Sequence, residues 1–117
     1  MIPENKLEEL LQDITSDYIN WKLASCEARG YPTDHVEEDV KRFKNSLSIK
    51  KGRKYIKIIS DGSVWGFINV SNPDFKEGDI LMASSWNSPA LNKARGNLFE
   101  SYDVKWTSPR YLNQLGR

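Results

Sequence analysis

Between Glu4 and Arg29, the apolar residues Leu7, Leu11, Ile14, Tyr18 and Trp21 follow one another at steps of four, three, four and three. That spacing keeps them on one face of a 3.6-residue helix and predicts a long amphipathic helix, with Leu10 widening the stripe. Gly30 suits a left-handed C-terminal cap, and Pro32 cannot continue a helix, so the stop is well signalled. Asp34 and Glu37 have the spacing of a capping box, after which Val36, Val40, Phe43 and Leu47 repeat at four, three and four. A second amphipathic helix is expected there. Lone amphipathic helices are marginal in water, so both stripes need an apolar partner elsewhere in the chain.

Residues 55–83 can supply it. Tyr55-Ile56-Lys57-Ile58-Ile59 is rich in β-branched and aromatic residues, Asp61-Gly62 is a hairpin turn signal, and Val64 to Val70 is a second run of strand formers. The two-residue period of a strand would place Val64, Gly66, Ile68 and Val70 on one face and Trp65, Phe67 and Asn69 on the other. Beyond Ser71-Asn72-Pro73-Asp74 and a Gly78-Asp79 turn, Ile80-Leu81-Met82-Ala83 suits a short third strand, completing an antiparallel meander. Ser88 and Pro89 have the character of the first positions of a short helix, closed by Gly96 or Asn97. Tyr102, Val104, Trp106 and Tyr111 show no period but are apolar enough to pack on the body. The expected fold is α+β: two N-terminal amphipathic helices packed on a three-stranded antiparallel meander, then a short helix and a packed C-terminal tail.

At 117 residues and 38% hydrophobic content the chain can build one core, so residues 1–117 are read as a single domain, with a helical half (1–47) and a sheet half (48–117). No run of about 18 apolar residues offers a membrane span, and the N-terminus lacks the apolar segment of a secretory signal, so a cytoplasmic location is expected. One cysteine, Cys26, cannot form an internal disulfide and reads as helix packing. With a single histidine besides, structural zinc is not expected, nor is any other metal or cofactor. Oligomeric state is open, a homodimer through helix 1 being one outcome. The +1 net charge is divided unevenly: residues 1–47 carry ten acidic and six basic side chains, residues 48–117 six acidic and eleven basic. Two arrangements produce that asymmetry, a basic binding face or an acidic helical layer lying against a basic sheet edge.

The most distinctive stretch runs from Gly78 to Phe99 and is dense in small and polar residues, including Ala83-Ser84-Ser85-Trp86, Pro89-Ala90 and Ala94-Arg95-Gly96-Asn97. Together with Lys54-Tyr55-Ile56-Lys57-Ile58 and Val64-Trp65-Gly66-Phe67-Ile68, it resembles a family of small tailed-bacteriophage proteins of uncharacterised activity. The resemblance covers about residues 53–99. Where those proteins often carry lysine and proline before Ala-Ser-Trp and more lysine after Pro-Ala, this chain has Leu81, Met82, Asn87 and Leu91. What the resemblance implies is a viral origin and a host-cytoplasm location, without an activity.

Two groups of residues have binding chemistry. In the first, Lys51, Arg53, Lys54 and Lys57 lie beside Tyr55 and within hairpin reach of Trp65 and Phe67; cations beside aromatic rings are what single-stranded nucleic acid needs, phosphates pairing with the cations and bases stacking on the rings. Trp86 and Arg95 join this group as a stacking or anchoring ring and an anion-holding guanidinium. The same pattern also protects an exposed sheet edge. In the second, Ser84, Ser85 and Asn87, with the amides near Pro89 and Lys93 as counter-charge, would form an anion site at a helix start; the same residues are ordinary turn and cap formers. No acid, base or nucleophile constellation, glycine-rich phosphate loop or dinucleotide fingerprint stands out, and His35 sits in an acidic cluster. The sequence therefore points to a non-catalytic binding protein, for single-stranded nucleic acid or a nucleoprotein; the alternatives are a module that inhibits or redirects a host enzyme, and a small hydrolase or nucleotide-binding enzyme centred on Ser84 to Asn97.

Overall fold

The computed structural model of the chain describes residues 2–109; Tyr111, expected to pack with the tail, lies outside them. Helix α1 spans Glu4–Arg29, opening behind extended Pro3, whose carbonyl accepts the Lys6 and Leu7 amides. It ends on Gly30 at φ +69°, a conformation that an L side chain resists. Helix α2 spans Val36–Ser46. It has no capping box: His35 holds the N-cap position in a helical conformation, without a side-chain cap bond.

Five strands follow where three were expected: β1 Leu47–Lys51, β2 Tyr55–Ser60, β3 Ser63–Asn69, β4 Asp79–Leu81 and β5 Gly96–Asn97. They form one antiparallel sheet in the order β1-β2-β3-β4-β5. Leu47 fits the helical period but leaves it for extended backbone, φ −80° and ψ 131°, and the lysine run becomes an edge strand. The β2–β3 turn is the expected one, Asp61 and Gly62 both at positive φ, as a hairpin that follows the sheet's twist requires. The short helix expected after Ser88 does not form. Pro89 instead bridges antiparallel to Ala83, and the Ala90 amide bonds the Met82 carbonyl at 2.7 Å, so the segment satisfies its backbone in a folded-back loop.

The strand period also breaks once. Ile58 pairs with Gly66, but Ile59 pairs with Val64, leaving Trp65 as the extra residue of a bulge. Trp65 consequently packs with the helices, while Phe67 packs on the opposite face, correcting the expectation that the two share a face.

The helices cover one face. Leu7, Leu10 and Ile14 of α1 and Phe43 of α2 pack against Ile56, Ile58, Trp65, Ile68 and Ile80. Buried Cys26 forms no disulfide. The tail closes this layer: the Trp106 amide donates to Asp17 Oδ2 at 2.9 Å, the Tyr102 hydroxyl donates to Asp13, and Trp65 Nε1 donates to the Lys105 carbonyl at 2.8 Å. Burial and the neighbouring Asp13 push the Tyr102 hydroxyl's pKa up. Among the described residues the opposite face has no helix. Phe67, Leu81 and Ala94 form a smaller core there, under the loops of residues 70–78 and 82–95. No helix among the described residues is long and apolar enough to cross a membrane.

Candidate nucleic-acid interface

Strand register decides which of the basic residues meet. Lys50 of β1 is opposite Lys57 of β2, which is opposite Phe67 of β3, which is opposite Leu81 of β4, so this row runs across the helix-free face. One step along, Tyr55 is opposite Asn69. A groove of about 270 Å³ opens over these rows, lined by Lys50, Lys51, Gly52, Lys54, Tyr55, Lys57, Phe67 and Asn87.

Lys57 is the pivot. Its side chain runs over the sheet, leaving the residue only 8% exposed, and its Nζ lies 4.4 Å from the centroid of the Trp86 ring and 3.3 Å from Asn87 Oδ1. A cation this close to an indole face is held by the ring quadrupole. Trp86 remains 50% exposed, so an aromatic residue in contact with solvent stands next to a buried lysine stem. Tyr55 packs edge-on against Phe67, takes a hydrogen bond from Asn72 Nδ2 at 2.9 Å, and has Lys54 Nζ 5.9 Å from its ring centroid.

The structure thus brings together Lys54, Lys57, Trp86 and Asn87, with Lys50 and Tyr55; Lys51 also lines the groove but commits its ammonium elsewhere, and the remaining candidates lie apart. Lys51 projects to the helix side, because its register partner Ile56 does, and its ammonium pairs with Glu4 at the start of α1. Arg53 is exposed at the β1–β2 turn, its carbonyl accepting the Ser71 hydroxyl at 3.1 Å. Arg95 enters β5 through its amide bond to the Ile80 carbonyl, and Lys93 lies in a different groove.

The expected anion turn has a different use. Both the Ser84 and Ser85 amides donate to the Ser88 carbonyl, at 3.0 and 3.1 Å, and the Ser84 hydroxyl donates to the same oxygen at 3.1 Å. These donors tie the loop to itself, and with no helix beginning at Pro89 there is no helix N-terminus to concentrate positive potential. The turn presents Trp86 and Asn87 to Lys57.

Sequence reasoning missed a buried polar row beside the groove. Asp79, fully buried, accepts Asn97 Nδ2 on Oδ1 and the Lys76 amide on Oδ2, both at 2.9 Å. Asn97 Nδ2 also reaches the Glu77 carbonyl, while Asn69 Nδ2 donates to the Asn72 and Lys76 carbonyls and its Oδ1 accepts the Asn72 amide. Buried polar groups cost free energy unless bonded, and here the Asn69 and Asn97 bonds fix the 72–79 loop against β3 and β5. The available signal was Asn69, a polar residue closing the run Val64 to Ile68, which has no other polar side chain.

A family model described as a family of unknown function, DUF7717, matches residues 4–111, from the first residue of α1 through the tail. The chain belongs to this family. No curated protein and no solved structure matches the chain. The DUF7717 match takes in both helices and all five strands. Among the described residues no group of three or more His, Cys, Asp or Glu is placed to hold a metal ion.

Proposed function

We propose that this member of DUF7717 is a non-catalytic binding protein whose helix-free sheet face takes single-stranded nucleic acid. The observation that carries the reading is the Lys57 ammonium 4.4 Å over a half-exposed Trp86 ring, with Lys50, Lys54 and Tyr55 around the same groove. Phosphates would pair with Lys50, Lys54 and Lys57, and a base would stack on the open side of Trp86. The arrangement supports stacking recognition more than base-edge recognition, because rings and ammonium groups outnumber fixed amides in the groove. The self-bonded Ser84 turn argues against the hydrolase alternative, whose nucleophile it would have to supply. The phage resemblance of residues 53–99 adds to the proposal a viral origin and action in the host cytoplasm.

The test is fluorescence anisotropy with labelled single-stranded DNA and RNA at about 50 and 200 mM salt, a range over which several phosphate contacts cost orders of magnitude in affinity. Binding is expected to be steep in salt, and Trp86→Ala is expected to weaken it by about 1–3 kcal/mol. No binding at low salt removes the reading.

A second reading, a module docking on a host protein, is favoured by one observation: Trp21 and Leu23 of α1 are 47% and 43% exposed, in the acidic half of the chain. Exposed aromatic and aliphatic groups on one element are common at protein interfaces.

A further inference from the structure

The helix-free face carries a second, larger groove, of about 450 Å³, between the 72–79 loop and the segment entering β5. Its walls hold Phe75, Lys76, Asp74, Leu91 and Lys93. Phe75 packs against the same Phe67, Leu81 and Ala94 core as Tyr55, so rings on both sides of that core border a groove. The Lys76 side chain is 61% exposed and lies 3.5 Å from the exposed Glu100 carboxylate. Exposed ion pairs of this kind are worth little, so the Glu100 partner holds the Lys76 ammonium only weakly.

Two hydrogen bonds link the grooves: Asn72 Nδ2 donates to the Tyr55 hydroxyl, and Asn72 Oδ1 accepts the Asp74 amide at 3.0 Å. The first groove's ring and the second groove's wall are therefore set by one buried asparagine. The loop that forms that wall is pinned by Asn69, Asp79 and Asn97, so the cleft is shaped before any ligand arrives, which lowers the ordering cost of binding.

We infer that the second groove is a further subsite for the same strand, so that the ligand is an oligonucleotide laid across both grooves and not a mononucleotide held in one. The inference rests on the nucleic-acid reading above. Trp86 and the Lys50–Lys57 row engage one part of the strand; Lys76 and Lys93 take phosphates further along it, with Phe75 beside the bases.

The experiment titrates single-stranded DNA of about 3 and about 12 nucleotides against the full chain and two charge-matched double variants. Lys76→Gln with Lys93→Gln changes the second groove. Lys41→Gln with Lys105→Gln makes the same charge change away from it, and circular dichroism with thermal melting verifies that both variants are folded. The Lys76/Lys93 variant is expected to bind the long strand about tenfold more weakly, with a salt slope shallower by about 1.4, two phosphate contacts at about 0.7 each. Its affinity for the short strand is expected to stay at the wild-type value, and the Lys41/Lys105 variant to bind both lengths normally. Equal binding of the long strand by both double variants, with Trp86→Ala still deficient, overturns the second subsite and leaves the first groove standing. Failure of the unmodified chain to bind either length overturns both.

Discussion

The two faces of this sheet are built from different materials. On the helix side the centre is aliphatic, Leu7, Leu10 and Ile14 meeting Ile58, Ile68 and Ile80, all essentially inaccessible to solvent, with the rings of Phe43 and Trp65 completing the same core. The loop side has a core of three buried residues, Phe67, Leu81 and Ala94, and surrounds it with lysines, rings and bonded asparagines. Area removed from water is what stabilises a domain, and most of that area is on the helix side. The loop side keeps its polar groups fixed by hydrogen bonds that depend on distance and angle, which gives a defined shape at modest net stability. On the proposed nucleic-acid reading, stability and recognition fall on opposite faces of the same strands.

The largest effect that would sharpen this division is on the helix side. Leu10→Ala, which empties a fully buried position, is expected to cost about 2–5 kcal/mol in urea unfolding while the folded fraction keeps wild-type nucleic-acid affinity. Loss of affinity from protein still folded would break the division. On the loop side, Asn97→Ala leaves the Asp79 carboxylate and the Glu77 carbonyl without this donor and is expected to cost about 1–3 kcal/mol, with hydrogen exchange rising first in residues 72–79. Uniform exchange through α1 and the loop alike would mean that the two faces do not open separately.

The smallest effect concerns the ion pair between helices, Lys22 Nζ to Asp39 Oδ2 at 3.1 Å. The hydrogen bond from Lys22 holds the Asp39 carboxyl below the usual carboxylate range and raises the Lys22 ammonium. A carboxylate with a depressed folded-state pKa stabilises above its unfolded value, about 3.9, and that contribution disappears as pH falls through the folded value. Melting temperatures of Asp39→Asn should accordingly start lower at pH 7 and decline less towards pH 2 than those of the wild type. Parallel declines would assign the acid sensitivity to other carboxylates.

The helix side was readable because its signals are local and repeated. Leu7, Ile14 and Phe43 keep helical spacing, Gly30 stops α1, and Asp61-Gly62 turns the β2–β3 hairpin. What failed depended on partners distant in sequence. Leu47 satisfies a helical period and a strand equally, and pairing with Ser60 decides between them. Trp65 changes face because of a bulge whose only sequence trace is the small Gly66 beside it. Ser88-Pro89 has the chemistry of a helix start, yet the Met82 carbonyl and Ala83 capture the segment first. In the candidate site, Lys54, Lys57 and Trp86 were legible as a composition, whereas the exit of Lys51 to Glu4 follows from strand register alone. The Asp79–Asn97 row was invisible because residues 18 apart share a bond that no spacing rule anticipates.

The clasp of the tail on α1 sets an order of events during synthesis. Trp106 and Asp17, like Tyr102 and Asp13, are 89 residues apart. At a translation rate of about 5–20 residues per second, the carboxylates of α1 wait roughly 4–18 s for their partners to be polymerised. The ribosome therefore releases a helix whose docking face stays incomplete until Trp106 has been added, and the hairpin β2–β3, with neighbours close in sequence, has that interval in which to form first.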